Sequence, residues 1–204
     1  MGRVVAPGWL RLRLTVKMSP FTRDNLMALT ATLHKVRMNI SDLHRHYYQE
    51  HSLTVAQHPS ETDTRLMVRL LAFMRHAGDD LSFTKGLSTD DEPELWQKSP
   101  DGRIVLWVEL GEPSTKRIKQ ALSRAEQVVV YSYGGRSAQE WWNKHQNELG
   151  RLPRLQIYHL DDPQPEQLAE LCARSIDLFA TLQESEVQVT DGERSLDLKL
   201  SQWR

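Results

Sequence analysis

The sequence predicts an α/β protein with antiparallel β-structure at both ends. Three observations carry this. In the middle of the chain, the short apolar runs Ile104–Val108, Val128–Tyr133 and Leu155–Leu160 alternate with helical patterns. Toward each end the pattern changes to strict alternation, over Leu29–Ile40 and Tyr47–Val55 on one side and over Ile176–Leu182, Val187–Val189 and Leu196–Leu200 on the other. Asp191-Gly192, between the last two runs, has the chemistry of a hairpin turn. The middle reads as strand–helix units, and the two ends as an additional antiparallel sheet that they build together.

Residues 1–26 form an N-terminal extension, basic at Arg3, Arg11, Arg13, Lys17 and Arg23 against Asp24 alone. It lacks the apolar run and cleavage site of a secretory signal. Leu10, Leu12, Leu14 and Val16 alternate with polar residues and would suit an added strand. Residues 27–204 read as one domain. In the first strand, Leu29–Ile40, Ala31 and Leu33 share one parity and Val36, Met38 and Ile40 the other, which predicts a bulge near His34-Lys35. Tyr47–Val55 is its antiparallel partner. Ser60 caps a helix, answered by Asp63. Leu66, Met67, Leu70, Leu71 and Met74 form the apolar face of that helix, and Gly78 ends it. Leu81–Leu87 is a short strand. Ser99-Pro100-Asp101-Gly102 turns the chain into the strand Ile104–Val108. Glu109 stands at the carboxyl end of this strand, and Gly111 and Pro113 break it. Ser114 caps a helix over Lys116–Ala125 with Ile118, Leu122 and Ala125 inward. Gly134-Gly135 stops the strand Val128–Tyr133. A helix over Ser137–Leu149, the strand Leu155–Leu160 and a helix over Pro165–Ala173 complete the middle.

Composition excludes several classes. The 204 residues are 39% hydrophobic and 26% charged, which suits a globular domain with a proper core. A net charge of −1 gives no support to a protein that coats nucleic acid, although a local basic patch is compatible with it. The single Cys172 precludes an intramolecular disulfide and fits a reducing, cytoplasmic compartment. No apolar run approaches the roughly 20 residues of a membrane span.

The chemistry concentrates in DDEPELWQKSPDGRIVLWVELGEPSTKRIKQA, residues 90–121. An acidic cluster, Asp90, Asp91, Glu92 and Glu94, precedes the strand that delivers Glu109. The next helix brings Lys116, Arg117 and Lys119. Hard divalent cations take such oxygen clusters, and phosphate chemistry takes an adjacent cation. A carboxylate at a strand's carboxyl end also lies where open α/β sheets place their sites. The segments DDEPELW, LWVELGEP and KRIKQA resemble the signature segments of the YaeQ family of bacterial proteins. HPSETDTRLMVRLLAF and RSAQEWW resemble the same family, so the likeness runs from about Met27 to Trp203 in one order.

That resemblance implies a restriction-endonuclease-like, PD-(D/E)xK core and a metal-dependent phosphodiesterase acting on nucleic acid, DNA or RNA. Asp91, which with Glu92 and Pro93 matches the family pattern, and Glu109 would hold magnesium or manganese, with Glu94 in reserve. Glu61 would assist from the first helix, where its plain alternative is favourable interaction with the helix dipole. The (D/E)xK pattern would place lysine at position 111, where the chain has Gly111. Lys119 matches the family's own lysine, and Lys116 is the nearer alternative. The other reading is a nuclease-like scaffold that binds nucleic acid or a protein and cuts nothing.

Other residues have plainer readings. Arg65, Arg69 and Arg117 grip phosphates or pair with the acids just named. His44 and His46 lack a third ligand and read as exposed. Of Trp141 and Trp142, about 100° apart on a helix, one packs inward and the other is open to base stacking. Arg136 and Gln139 lie at the start of that helix and would face the site. Cys172 reads as inert core. No glycine-rich phosphate loop or nucleophile elbow is present.

Overall fold

The computed structural model describes residues 31–84 and 91–204. The alternation at Leu10–Val16, the strand start at Leu29, and Leu87 and Asp90 lie outside them. Strand β1 (Thr32–Asp42) buries His34, Val36, Met38, Ile40 and Asp42 on one face and pairs antiparallel with β2 (Tyr47–Gln57). The expected bulge at His34-Lys35 does not occur, because the pairing runs unbroken from Thr32 to Asp42. The apparent change of parity arises because Leu33 faces solvent while the buried His34 is satisfied. Its ring nitrogens lie 2.7 Å from the Ala173 carbonyl and 2.9 Å from Gln57 Oε1.

Helix α1 (Asp63–His76) starts later than the sequence suggests. Thr62 is its N-cap and accepts from the Arg65 amide, so Ser60 is outside the helix and Glu61 precedes its first turn. Short β3 (Leu81–Phe83) pairs with β4 (Leu95–Lys98), which pairs with β5 (Ile104–Leu110) across the Ser99–Gly102 turn. Gly102 has the positive φ, +85°, that this turn requires. Next come α2 (Thr115–Arg124), capped by Ser114, β6 (Ala125–Ser132), α3 (Gly135–Leu149), β7 (Leu155–Leu160), α4 (Gln164–Ala169), β8 (Ser175–Gln183), β9 (Glu186–Thr190) and β10 (Ser195–Gln202). The expected hairpin forms between β9 and β10.

The ten strands among the described residues belong to one sheet, in the order β2-β1-β8-β9-β10-β7-β6-β5-β4-β3. This corrects the expectation of a separate antiparallel sheet. β10 pairs with β9 on one side and β7 on the other, which joins the two halves, and β1 pairs with β8 in parallel. The sheet curls nearly into a barrel around α1. One core combines α1 with the inner faces of β1, β8, β9, β10 and β5, which is why α1 buries Val68, Ala72 and Phe73 besides its expected face. A smaller core, including Trp107, Ile118, Val130, Trp141 and Ile157, holds α2 and α3 on the outer side of β5, β6 and β7. The three parallel strands β5, β6 and β7 thus end together beside the starts of α1 and α2.

Candidate functional site

Three carboxylates are buried near these strand ends, and each is held by an arginine. Glu109 is the penultimate residue of β5. Its Oε1 accepts from Trp107 Nε1 at 2.6 Å and from Arg117 Nε at 2.8 Å. Ser114 starts α2 where it does, and that sets Arg117 facing Glu109. Glu94 immediately precedes β4. Its amide donates to the Val108 carbonyl, and Leu95 is paired with Val108, so the chain brings Glu94 alongside Glu109. Its carboxylate is paired with Arg65 of α1. Glu61, just before α1, is paired with Arg69 at 2.9 Å, with 3% and 4% of the two side chains exposed.

The three pairs form one electrostatic unit. Glu94 acts on both Glu109 and Glu61, and Arg65 acts electrostatically on Glu61 and Tyr133. Burial raises Glu61 above the usual carboxylate range, against the pull of Arg69. Burial likewise raises Glu109, against its bonds from Arg117 and Trp107. Tyr133, one residue past β6, is raised by burial.

Asp91 is not part of this unit. Its side chain is 81% exposed and faces Arg124 at 3.6 Å. Lys119 also points elsewhere: it is paired with Glu148 of α3 at 2.5 Å and is 54% exposed. Lys116 is exposed. Of the four expected site residues, Glu109 and Glu61 are both buried and each is electrostatically coupled to Glu94, while Asp91 and Lys119 are exposed. Glu94 stands where Asp91 was expected, and arginines stand where lysine was expected. Trp107 and Tyr133 were missed. The signal for Trp107 was its spacing, since residues two apart on a strand share a face.

The remaining candidates resolve simply. Arg65, Arg69 and Arg117 pair with the acids. His44 and His46 are exposed in the β1–β2 turn. Trp141 packs inward and donates to the Pro113 carbonyl, while Trp142 stacks on Trp203 with centroids 5.6 Å apart. Arg136 and Gln139 pair with Glu140 and Asn143 along α3. Cys172 lies beside Asp63, and burial pushes its thiol up to about 11, which suits an unreactive thiol.

A magnesium or manganese ion takes oxygen donors, usually one or two carboxylates completed by water and substrate phosphate. Two buried carboxylate oxygens, Glu61 Oε1 and Glu94 Oε2, have no hydrogen-bond partner among the described residues. These are donor atoms of the right kind, and they fit an ion held in that sparse way. They do not form a full protein cage: among the described residues no three His, Cys, Asp or Glu side chains are grouped to hold a metal.

Comparison with known proteins places the chain. A family model described as "YaeQ protein" matches residues 27–200. The "Uncharacterized protein YaeQ" of Salmonella typhi is 42% identical over 178 residues, covering 87% of this chain and 98% of that protein. The protein of the same name from Escherichia coli K12 is 40% identical over the same coverage. The crystal structure of the YaeQ protein from Xanthomonas axonopodis pv. citri superposes with a TM-score of 0.82 at 44% identity, covering 85% of this chain and 98% of that one. That of the YaeQ protein from Pseudomonas syringae gives 0.80 at 34% identity, covering 84% and 95%. Among the described residues no helix is long and apolar enough to cross a membrane.

Proposed function

The chain belongs to the YaeQ family, and from that membership we propose that it is a metal-dependent phosphodiesterase acting on DNA or RNA, with a restriction-endonuclease-like α/β half. One observation carries the reading. Three acids, Glu61, Glu94 and Glu109, are buried near the ends of the parallel strands, and two of their oxygens lack a donor among the described residues. A fold does not gain stability from carboxylates buried with unsatisfied oxygens. The likeness to the PD-(D/E)xK pattern supports it further. Pro93-Glu94 leads into β4, and Glu109 ends the antiparallel neighbour β5.

In the reaction a water oxygen bonds to phosphorus and one bridging P–O bond breaks. The water gives up a proton and the leaving oxygen takes one. Glu94 and Glu61 would hold magnesium or manganese through their unpartnered oxygens. The ion supplies polarisation of the phosphate and a lowered pKa for water. Glu109, kept in place by Trp107 and Arg117, sits beside this pair to accept a proton or complete the ion's oxygen shell. Asp91 and Lys119, exposed and facing Arg124 and Glu148, lie outside this arrangement.

A second reading, a scaffold that binds nucleic acid or a protein without cutting it, is favoured by one specific feature. Every buried acid of the site is already matched by an arginine. Purified protein with magnesium or manganese, assayed on DNA and RNA, decides between them. Glu94→Gln and Glu109→Gln are each expected to reduce cleavage by about 10²–10³-fold, the usual loss for one group of a preorganised electrostatic site. Asp91→Asn is expected to change it by less than about threefold, since exposed charges contribute little. Absence of cleavage of any substrate by the wild type supports the scaffold.

A further inference from the structure

A phosphodiesterase site needs a cation to meet the charge that builds on a phosphate under attack. Five basic side chains are near enough to consider, and the geometry separates them. Lys119 is tied to Glu148 and Lys116 is exposed on α2. Arg69 is 4% exposed at its side chain and is enclosed with Glu61. Arg117 spans from Glu109 to the Glu92 carbonyl and fixes the acid to the loop.

Arg65 is placed differently. It reaches from α1 to the ends of three adjacent strands. It pairs with Glu94, which leads into β4, and is electrostatically coupled to Tyr133, which follows β6. Between them lies Gly111, just past the end of β5, whose amide bonds the Tyr131 carbonyl of β6. Gly111 has φ +79°, and a Cβ built on it would lie 3.6 Å from Arg65 Nη1. A side chain at 111 would be in ordinary van der Waals contact with the guanidinium, and the positive φ by itself favours glycine here. The Arg65 side chain is 18% exposed although Glu94 beside it is buried. Its Nε, itself buried, has no hydrogen-bond partner among the described residues.

Resting on the phosphodiesterase reading, we infer that Arg65 is the catalytic cation of this site, standing in from the first helix for the lysine absent at Gly111. A planar guanidinium suits this position: it can hold Glu94 with one edge and present the other to phosphate oxygens, which an ammonium cannot do.

The test uses the full chain with manganese and a DNA or RNA duplex that it cleaves. Arg65→Gln is expected to lower kcat by about 10²-fold or more with KM changed by less than about threefold, because a charge met mainly in the transition state acts on rate. Manganese binding, followed by electron paramagnetic resonance, gives a readout independent of turnover: Arg65→Gln should tighten it by about tenfold, because a like charge beside Glu94 is gone. If Arg65→Gln does not fold, Arg65→Lys retains the charge. Its activity should then fall above about pH 10, where lysine titrates and the wild-type guanidinium does not.

An active wild type whose kcat survives Arg65→Gln overturns the role of Arg65 and leaves the phosphodiesterase standing. Unchanged manganese affinity in Arg65→Gln overturns it whatever the activity. A wild type that cleaves neither DNA nor RNA with either metal overturns the phosphodiesterase reading, and this inference with it.

Discussion

Lowering the pH from 6.5 toward 3 is expected to cost up to about 5 kcal/mol of stability through His76 alone. His76 closes α1, and its half-buried imidazole packs against Tyr131, with Nε2 2.8 Å from the Tyr131 hydroxyl and the rings edge-on at 5.9 Å. Burial pushes its pKa from 6.5 down to about 3, and the nearby positive charges of Arg75 and Arg45 push the same way. The folded pKa lies below the unfolded one, so the unfolded chain binds one more proton between pH 6.5 and 3. Stability from this group is complete above pH 6.5 and is lost as pH falls toward 3. Asp42, which its bonds from Arg45 and His44 hold below the usual range, adds loss in the same direction at lower pH. Glu61 and Glu109, raised by burial, work oppositely and soften the total. His76→Asn retains an acceptor for the tyrosine and removes the titration. Urea unfolding between pH 7 and 3 should show a markedly flatter acid limb in the variant. Parallel limbs in the two proteins would refute the assignment.

Elements of this fold were legible in the sequence to the extent that their signals are local. The strand ending in Glu109 was legible because an apolar run bounded by Asp101-Gly102 and Gly111 has few other readings. The Ser114 cap and the Asp191-Gly192 hairpin were legible because their chemistry is complete within a few residues. The choice among Asp91, Glu92 and Glu94 was not, because it depends on strand register. Pairing of Leu95 with Val108 sets Glu94 beside Glu109, and nothing within the acidic cluster encodes that pairing. Lys119 fails for a reason that could have been seen. Residues two apart on a helix differ by about 200°, so Arg117 and Lys119 cannot both face Glu109. The all-round burial of α1 was invisible because it comes from the curl of a sheet whose strands lie at both ends of the chain.

Arg69→Met is expected to destabilise the protein by about 3–5 kcal/mol at neutral pH, the cost of leaving one member of a buried ion pair without its partner. Arg69 Nη2 bonds both Glu61 Oε2 at 2.9 Å and the Ala56 carbonyl at 2.8 Å, tying the start of α1 to the end of β2. Burial already lowers the Arg69 pKa and raises that of Glu61, so the pair exists against a substantial desolvation cost. Without the arginine, Glu61 takes up a proton more readily, and the penalty should shrink as pH falls. Glu61→Leu alone should also be costly, because it strands the arginine. The two changes together should cost far less than their sum, and an apolar pair of suitable shape can match the wild type. Chemical unfolding of the four proteins gives the coupling directly. Strict additivity would mean that the two charges do not depend on each other, contrary to their 2.9 Å contact. If the double variant is as stable as the wild type yet loses manganese-dependent cleavage, stability is not what the buried pair provides, and Glu61 is there for the oxygen that Arg69 leaves unbonded.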